Sequence, residues 1–211
     1  ETMIKRERKS PFVKLFDKTP STVVCPHFYE LVLSNFCSFS CSYCYLNGVA
    51  RGRSTEPTLF ANDWSQVVKE LEKSPAGVYN TGELADSLAP VPPLLEPALD
   101  YFSNQKNKFL LLVTKSTNID ILKNREPSRQ IIVSFSINSD EVADLFESGC
   151  PAPTERLDCA RQLKSFGWRV RIRLDPIIFP YFTISKAYEK YFYICHEIAS
   201  FNPEVITVGS L

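Results

Sequence analysis

The sequence predicts a single parallel α/β domain, built either as an open doubly wound sheet or as a partial barrel. Short apolar runs rich in β-branched and aromatic residues alternate with stretches of helical period through most of the chain. That is the pattern of strands buried on both faces and joined by crossover helices. Polar and glycine-bearing segments fall at the carboxyl ends of the runs, the edge at which such folds bind ligands. A length of 211 residues with 44% hydrophobic composition suffices for one sizeable core and favours one domain over two.

Taken in order, "FYELVLS" is the first predicted strand. "NDWSQVVKELEKS" follows as a helix that Asn62 or Asp63 can cap. "GVYNTG" is the second strand, and the proline-rich "SLAPVPPLLEP" is a loop leading into the helix "PPLLEPALDYFSNQ". "FLLLVTK", the short helix "NIDILKN" and "QIIVSFSI" continue the alternation. In "TERLDCARQLKSFG", Thr154 and Glu155 open a helix and Gly167 stops it. "RVRIRLDPI" places Arg171 and Arg173 on one face of a strand and its aliphatic residues on the other. The aromatic-rich "ISKAYEKYFYICHEIASF" reads as an outer helix whose His196 is packed or at the surface, and "EVITVGS" is the sixth strand.

Lysine plus arginine equal aspartate plus glutamate at 24 each, so no global field points to nucleic acid or to a membrane surface. No apolar run approaches the roughly 18 to 20 residues needed to cross a bilayer, and "ETMIKRERKS" has no apolar signal core. The expectation is a cytoplasmic protein with no membrane partner. Seven cysteines in a reducing compartment read as metal ligands or buried thiols rather than as a disulfide framework.

Three of them stand in "NFCSFSCSYCYLNG", at Cys37, Cys41 and Cys44. Three thiolates leave one iron of a cubane iron–sulfur cluster open to an outside ligand, which is the reading this spacing favours. A closed zinc site wants a fourth ligand, which Cys25 or His27 can supply, and three unrelated buried thiols are the plainest alternative. The cluster of cysteines follows the first strand directly, at the ligand-binding edge of the sheet.

"CSFSCSYCY" resembles the CxxxCxxC signature of the radical S-adenosylmethionine (SAM) superfamily. More narrowly, "CPHFYELVLSNFCSFSCSYCYL", "TGELADSL", "LLVTKSTN", "VSFSIN" and "ERLDCARQLKSFGWRVRIRLDPII" look like the spore photoproduct lyase family of that superfamily. The resemblance implies a six-stranded partial (β/α) barrel of the radical SAM type, spanning residues 1–211 as a single core domain that lacks C-terminal elements. It implies a 4Fe-4S cluster and SAM as cofactors, with cleavage of SAM to methionine and a 5′-deoxyadenosyl radical.

By the same resemblance Cys37, Cys41 and Cys44 are the cluster ligands and Tyr43 is the aromatic residue near the adenine. Gly82 and Glu83 match the motif that contacts the SAM amino group, glycine for its backbone freedom and glutamate as an acceptor for an ammonium. Lys115 and Ser136 match positions around the SAM carboxylate or ribose, and Asn138 is a further polar candidate. Asp86 and Ser87 point either at ligand or at solvent. Arg171 and Arg173 face either a phosphate or carboxylate, or ion-pair partners among Glu155, Asp158 and Asp175.

One departure stands out. The lyases carry a hydrogen-donating cysteine in the loop after the second strand, where this chain has Glu83-Leu84-Ala85-Asp86. Tyr43 and Tyr45 are the candidates to relay a hydrogen atom, and Cys150 and Cys159 are candidates on chain position alone. The implied partners are DNA as the leading substrate, through Arg171, Arg173 or the run Arg51 to Arg53, an external electron donor, and a second chain completing the barrel. The competing functions are radical SAM chemistry on a peptide or small molecule, and a metal-binding interaction module without turnover.

Overall fold

The computed structural model describes residues 4–17, 27–48, 58–179 and 184–210. Cys25 and the run Arg51 to Arg53 lie outside them. The chain opens with β1 (Ile4–Arg6), β2 (Val13–Leu15) and β3 (Tyr29–Leu31), followed by the two-residue β4 (Ser40–Cys41) and β5 (Thr58–Phe60). Next come α1 (Trp64–Lys73), β6 (Gly77–Asn80), α2 (Leu95–Ser103), β7 (Lys108–Thr114), α3 (Asp120–Lys123) and β8 (Ile131–Ser136). The remainder is α4 (Asp140–Phe146), β9 (Glu147–Ser148), α5 (Pro153–Ser165), β10 (Arg169–Ile177), α6 (Ile184–Ser200) and β11 (Ile206–Ser210).

Six strands, β3, β6, β7, β8, β10 and β11, lie side by side in chain order and each is parallel to the next. These are the six strands the sequence predicts. A doubly wound sheet reverses its strand order partway, whereas this one winds in one direction throughout. The architecture is therefore a partial (β/α) barrel, with β2 added antiparallel on the β3 edge. Two small ladders lie outside it, β1 with β5 and β4 with β9.

Burial follows from position in the sheet. Every residue of central β8 is buried, while β10 alternates, with Val170, Ile172 and Leu174 inside and the arginines between them part-exposed. Leu95, Leu99 and Phe102 of α2 and Leu157, Ala160 and Leu163 of α5 close the core over the outer face. Each large apolar side chain of this set contributes about 1.5 to 3 kcal/mol by burial. Tyr191, Ile194 and Ile198 recur at helical spacing on α6 and pack inward, and His196 is exposed.

The helix starts refine the sequence reading. Asp63 caps α1 by accepting from the Ser65 N–H at 2.7 Å. Asn62 instead pairs with the Arg8 backbone in both directions, at 2.7 and 3.1 Å. α5 begins at Pro153 rather than at Thr154, because proline suits the first helical position and Glu155 accepts from the Ala152 N–H at 2.7 Å. Gly167, at φ 95°, follows the helix end as predicted. α4 has no counterpart in the sequence reading: its seven residues are too few for a period to be recognised, and its signal is Ser139, whose hydroxyl accepts from the Val142 N–H.

A cysteine-lined cavity as the candidate active site

The loop after β3 is shaped by its own polar groups. Asn47 donates to the Cys41 carbonyl at 2.9 Å, and the Cys44 N–H reaches the same carbonyl at 3.1 Å, so Cys41 to Asn47 close into a compact turn. The Ser38 N–H binds the Ala89 carbonyl, and the Ser42 N–H binds the Phe146 carbonyl. With β4 paired to β9, the cysteine loop is thus tied to the loop after β6 and to the segment after α4. Cys37, Cys41 and Cys44 all line one cavity of about 380 Å³ at the carboxyl ends of the strands.

Gly82, Glu83, Lys115, Ser136, Tyr43 and Tyr45 line the same cavity, so with the cysteines four separate stretches of sequence converge. Asn80 at the end of β6 sets the geometry of the next loop. It accepts from the Gly82 N–H at 2.9 Å and donates to Glu83 Oε1 at 2.6 Å. Gly82 is required by space: a Cβ there would sit 2.6 Å from the Cβ of Val113. Burial raises the Glu83 pKa, Glu30 adds to the rise, and Arg173 opposes it.

Asp86 and Ser87 face neither free ligand space nor solvent alone. Asp86 lines the cavity, but its carboxylate accepts from Thr114 Oγ1, the Lys115 N–H and the Leu88 N–H at 2.6 to 2.9 Å. Ser87 pairs with Thr81 Oγ1 at 2.7 Å and accepts from the Val113 N–H at 2.9 Å. Both pin the loop to β7 and so fix where Lys115 emerges. The Lys115 ammonium lies 5.5 Å from the centre of the Tyr43 ring, within cation–π range.

Behind the cysteine loop stands a group that sequence reading missed. Tyr43 donates its hydroxyl to Glu147 Oε1. Glu147 Oε2 lies 2.6 Å from Arg156 Nη1 as an ion pair, though without an aligned hydrogen-bond donor. Both side chains are almost wholly buried, and Arg156 also donates to the carbonyls of Pro151 and Ser136. Burial and the Glu147 carboxylate push the Tyr43 phenol up. The Cys41 thiol is brought down to about 7, first by its contact with Cys150, with Lys115 and Arg156 assisting against burial.

Of the other sequence candidates, Asn138, Arg171, Cys159 and His27 fall outside the cavity. Asn138 is buried and bridges strands, donating to the Pro176 carbonyl at 2.9 Å and accepting from Tyr191 at 2.6 Å. Arg171 joins Arg169 in binding Glu204, not Glu155 or Asp158. Arg173 does line the cavity, ion-paired to Asp175 at 2.8 Å. Cys159 contacts the Thr117 carbonyl at 3.7 Å, and His27 is exposed.

The family model for spore photoproduct lyase matches residues 85–206, more than half of the chain. The chain belongs to the spore photoproduct lyase family. The matched stretch begins after the cysteine loop. A spore photoproduct lyase of Clostridium acetobutylicum is 25% identical over 172 residues, covering 77% of this chain and 50% of that protein. The chain therefore spans about half the length of the curated relative it matches.

Among solved structures, a cysteine-to-serine variant of spore photoproduct lyase superposes with a TM-score of 0.78 at 20% identity, covering 98% of this chain and 60% of that one. A variant of the same enzyme with bound AdoMet and dinucleoside spore photoproduct gives 0.75 at 20% identity, with the same shares covered. Streptococcus suis SuiB bound to precursor peptide SuiA gives 0.58 at 15% identity, covering 84% and 37%. These likenesses establish the fold, a partial barrel shared with spore photoproduct lyase.

Among the described residues no three His, Cys, Asp or Glu side chains surround a single-ion position. Three thiolates on a cubane each bind a different iron, so they need to face one space rather than meet at one point. Cys37, Cys41 and Cys44 do face one space, and that donor set fits a cluster with an open iron.

Proposed function

We propose that the chain is the radical SAM core of a spore photoproduct lyase-like enzyme, holding a 4Fe-4S cluster on Cys37, Cys41 and Cys44. The observation that carries this reading is the convergence of those thiols with Glu83, Lys115 and Ser136 on one cavity at the carboxyl ends of the strands. When bound, the cluster supplies the electron that splits SAM into methionine and a 5′-deoxyadenosyl radical. Glu83, held by Asn80, receives the SAM ammonium, and Lys115 attracts its carboxylate. Tyr43 offers a ring face under Lys115, and Ser136 supplies a hydroxyl to the same ligand.

A lesion in DNA is the proposed substrate, by relation to lyases whose structures hold dinucleoside spore photoproduct. The loop from Gly82 to Asp86 has no thiol to return a hydrogen atom. The two cavity tyrosines remain for that role and differ in setting. Tyr43 gives its hydroxyl to the Glu147 carboxylate, whereas Tyr45, exposed at the rim, gives its own to the neutral Glu83 carbonyl within that loop. Tyr45 is the better placed of the two.

Anaerobic reconstitution followed by dithionite reduction with SAM tests the core reading. The expected product is 5′-deoxyadenosine, lost in Cys37→Ala, Cys41→Ala and Cys44→Ala. Reduced, cluster-loaded protein that binds SAM and leaves it intact overturns the reading. Adding dinucleoside spore photoproduct tests the substrate: formation of the repaired dinucleotide supports DNA repair, and SAM cleavage without it removes that lesion as the substrate.

A further inference from the structure

Four cysteine side chains, not three, meet at this end of the barrel. Cys37, Cys44 and Cys150 pack with Tyr43 around Phe39, Cys41 and Ala89, in a small apolar group separate from the main core. Cys150 is 109 positions from Cys41 in sequence, yet their sulfurs are 3.6 Å apart. The backbone builds this contact. Antiparallel pairing of β4 with β9 sets Cys41 opposite Glu147. The Cys150 N–H then returns to the Glu147 carbonyl at 3.0 Å, through a turn in which Gly149 has φ 80°, a value that favours glycine.

Cys150 is not among the residues lining the cavity, so it stands behind Cys41 rather than beside a substrate. We propose that Cys150 is a positioning residue for the iron–sulfur site, its S–H hydrogen-bonded to the sulfur of Cys41. This rests on the cluster reading above. Hydrogen bonds to ligating sulfurs draw charge from the thiolate, favour the more negative reduced state and raise the reduction potential. Cys150 thereby marks Cys41 as the ligand with a thiol donor supplied from a distant part of the chain.

Two measurements test the proposal. In cluster-free protein, diamide should oxidise Cys41 and Cys150 to one disulfide: the two thiols give up two electrons and two protons, and the diazene leaves as its hydrazine. Mass spectrometry of a non-reducing digest should find the two peptides joined, and their absence overturns the contact. In reconstituted protein, a redox titration followed by electron paramagnetic resonance should place the Cys150→Ala cluster at a more negative potential. Cys150→Ser, which keeps a donor, should stay near the wild type, with iron content held in both. An unchanged potential in Cys150→Ala overturns the proposal. Where Cys150→Ala fails to fold, a Cys150→Ser potential far from the wild type does the same. A disulfide in protein that never takes up iron upholds the contact, overturns the role assigned to Cys150, and shows that the cluster reading is what failed.

Discussion

Replacing Arg156 by methionine is the sharpest test of how the cysteine loop is held. The guanidinium is 1% exposed, faces Glu147 at 2.6 Å and donates to the Pro151 and Ser136 carbonyls at 2.8 and 3.2 Å. Removing it leaves the Glu147 carboxylate buried with Tyr43 as its remaining donor, and breaking a buried pair this way costs about 3 to 5 kcal/mol. Domains are stable by about 5 to 15 kcal/mol, so the variant should fold with a thin margin. With a urea dependence of about 2 to 3 kcal/mol per molar, the unfolding midpoint of cluster-free, reduced protein should fall by roughly 1 to 2.5 M. The double variant Glu147→Leu with Arg156→Met removes both charges and leaves the Tyr43 hydroxyl without its acceptor, at about 1 to 3 kcal/mol. It should therefore be more stable than Arg156→Met alone. A single variant within about 1 kcal/mol of the wild type, or a double variant as unstable as the two singles summed, refutes the coupling.

Gly82→Ala should cost about 1 to 3 kcal/mol, since its Cβ meets Val113 Cβ at 2.6 Å, and Val113→Ala, which keeps that Cβ, should recover little of it, as read by thermal unfolding of the single and double variants. Asp86→Ala strips the acceptor from Thr114, Lys115 and Leu88 and should weaken SAM binding through Lys115 as well as stability, measured by calorimetric titration and urea unfolding. Glu83 carries a raised pKa, so its neutral form suits the fold. Its contribution to stability is present below the unfolded carboxyl value and is lost as pH rises through the folded one. SAM binding runs the other way, weakening as pH falls through that raised value, because an ammonium needs the carboxylate. Glu83→Gln should bind SAM weakly with no such pH dependence, and a wild-type slope retained in the variant excludes Glu83.

What the sequence revealed and what it hid divide by range. The six parallel strands were legible because each is a short apolar run bounded by turn residues. Their order was not: the alternation with helices left open a doubly wound sheet or a partial barrel, and the barrel was what the family resemblance implied. Gly82 was legible as a special residue, but for the wrong reason: its need is the nearness of Val113, a residue of the neighbouring strand. Asn138 looked like a ligand-facing polar group, and Asp86 and Ser87 like groups facing either ligand or solvent; the fold spends the hydrogen bonds of all three on joining its elements and loops. Polarity at a strand end does not by itself tell a binding group from a brace. Arg156 did carry a signal, since it occupies the same helical face as Pro153, Leu157, Ala160 and Leu163, where a charge is costly without a partner. Glu147 carried none, because its partners are Tyr43 and Arg156, one of them 104 positions earlier.

That last pairing changes how the cysteine motif is understood. The spacing of Cys37, Cys41 and Cys44 specifies donors but leaves their loop without a regular element longer than one turn, so it cannot fix three sulfurs on one cavity unaided. The missing constraint comes from residues 146–150. The Phe146 carbonyl takes the Ser42 N–H, Glu147 pairs with Cys41 in β9 and takes the Tyr43 hydroxyl, and Cys150 meets the Cys41 sulfur. Arg156, on α5, anchors that segment in turn through Glu147 and the Pro151 carbonyl. The cysteine loop is therefore positioned by the connection between β8 and β10. Lys115 and Glu83 are held chiefly by Asp86 and Asn80 on the other side of the cavity, which meets the cysteine loop through Ser38 with Ala89 and Tyr45 with Glu83. Damage to α5 should consequently loosen the thiols while leaving the Glu83 and Lys115 side of the cavity in place, a separation that thiol-reactivity measurements on Arg156→Met, set beside those on Asp86→Ala, can resolve.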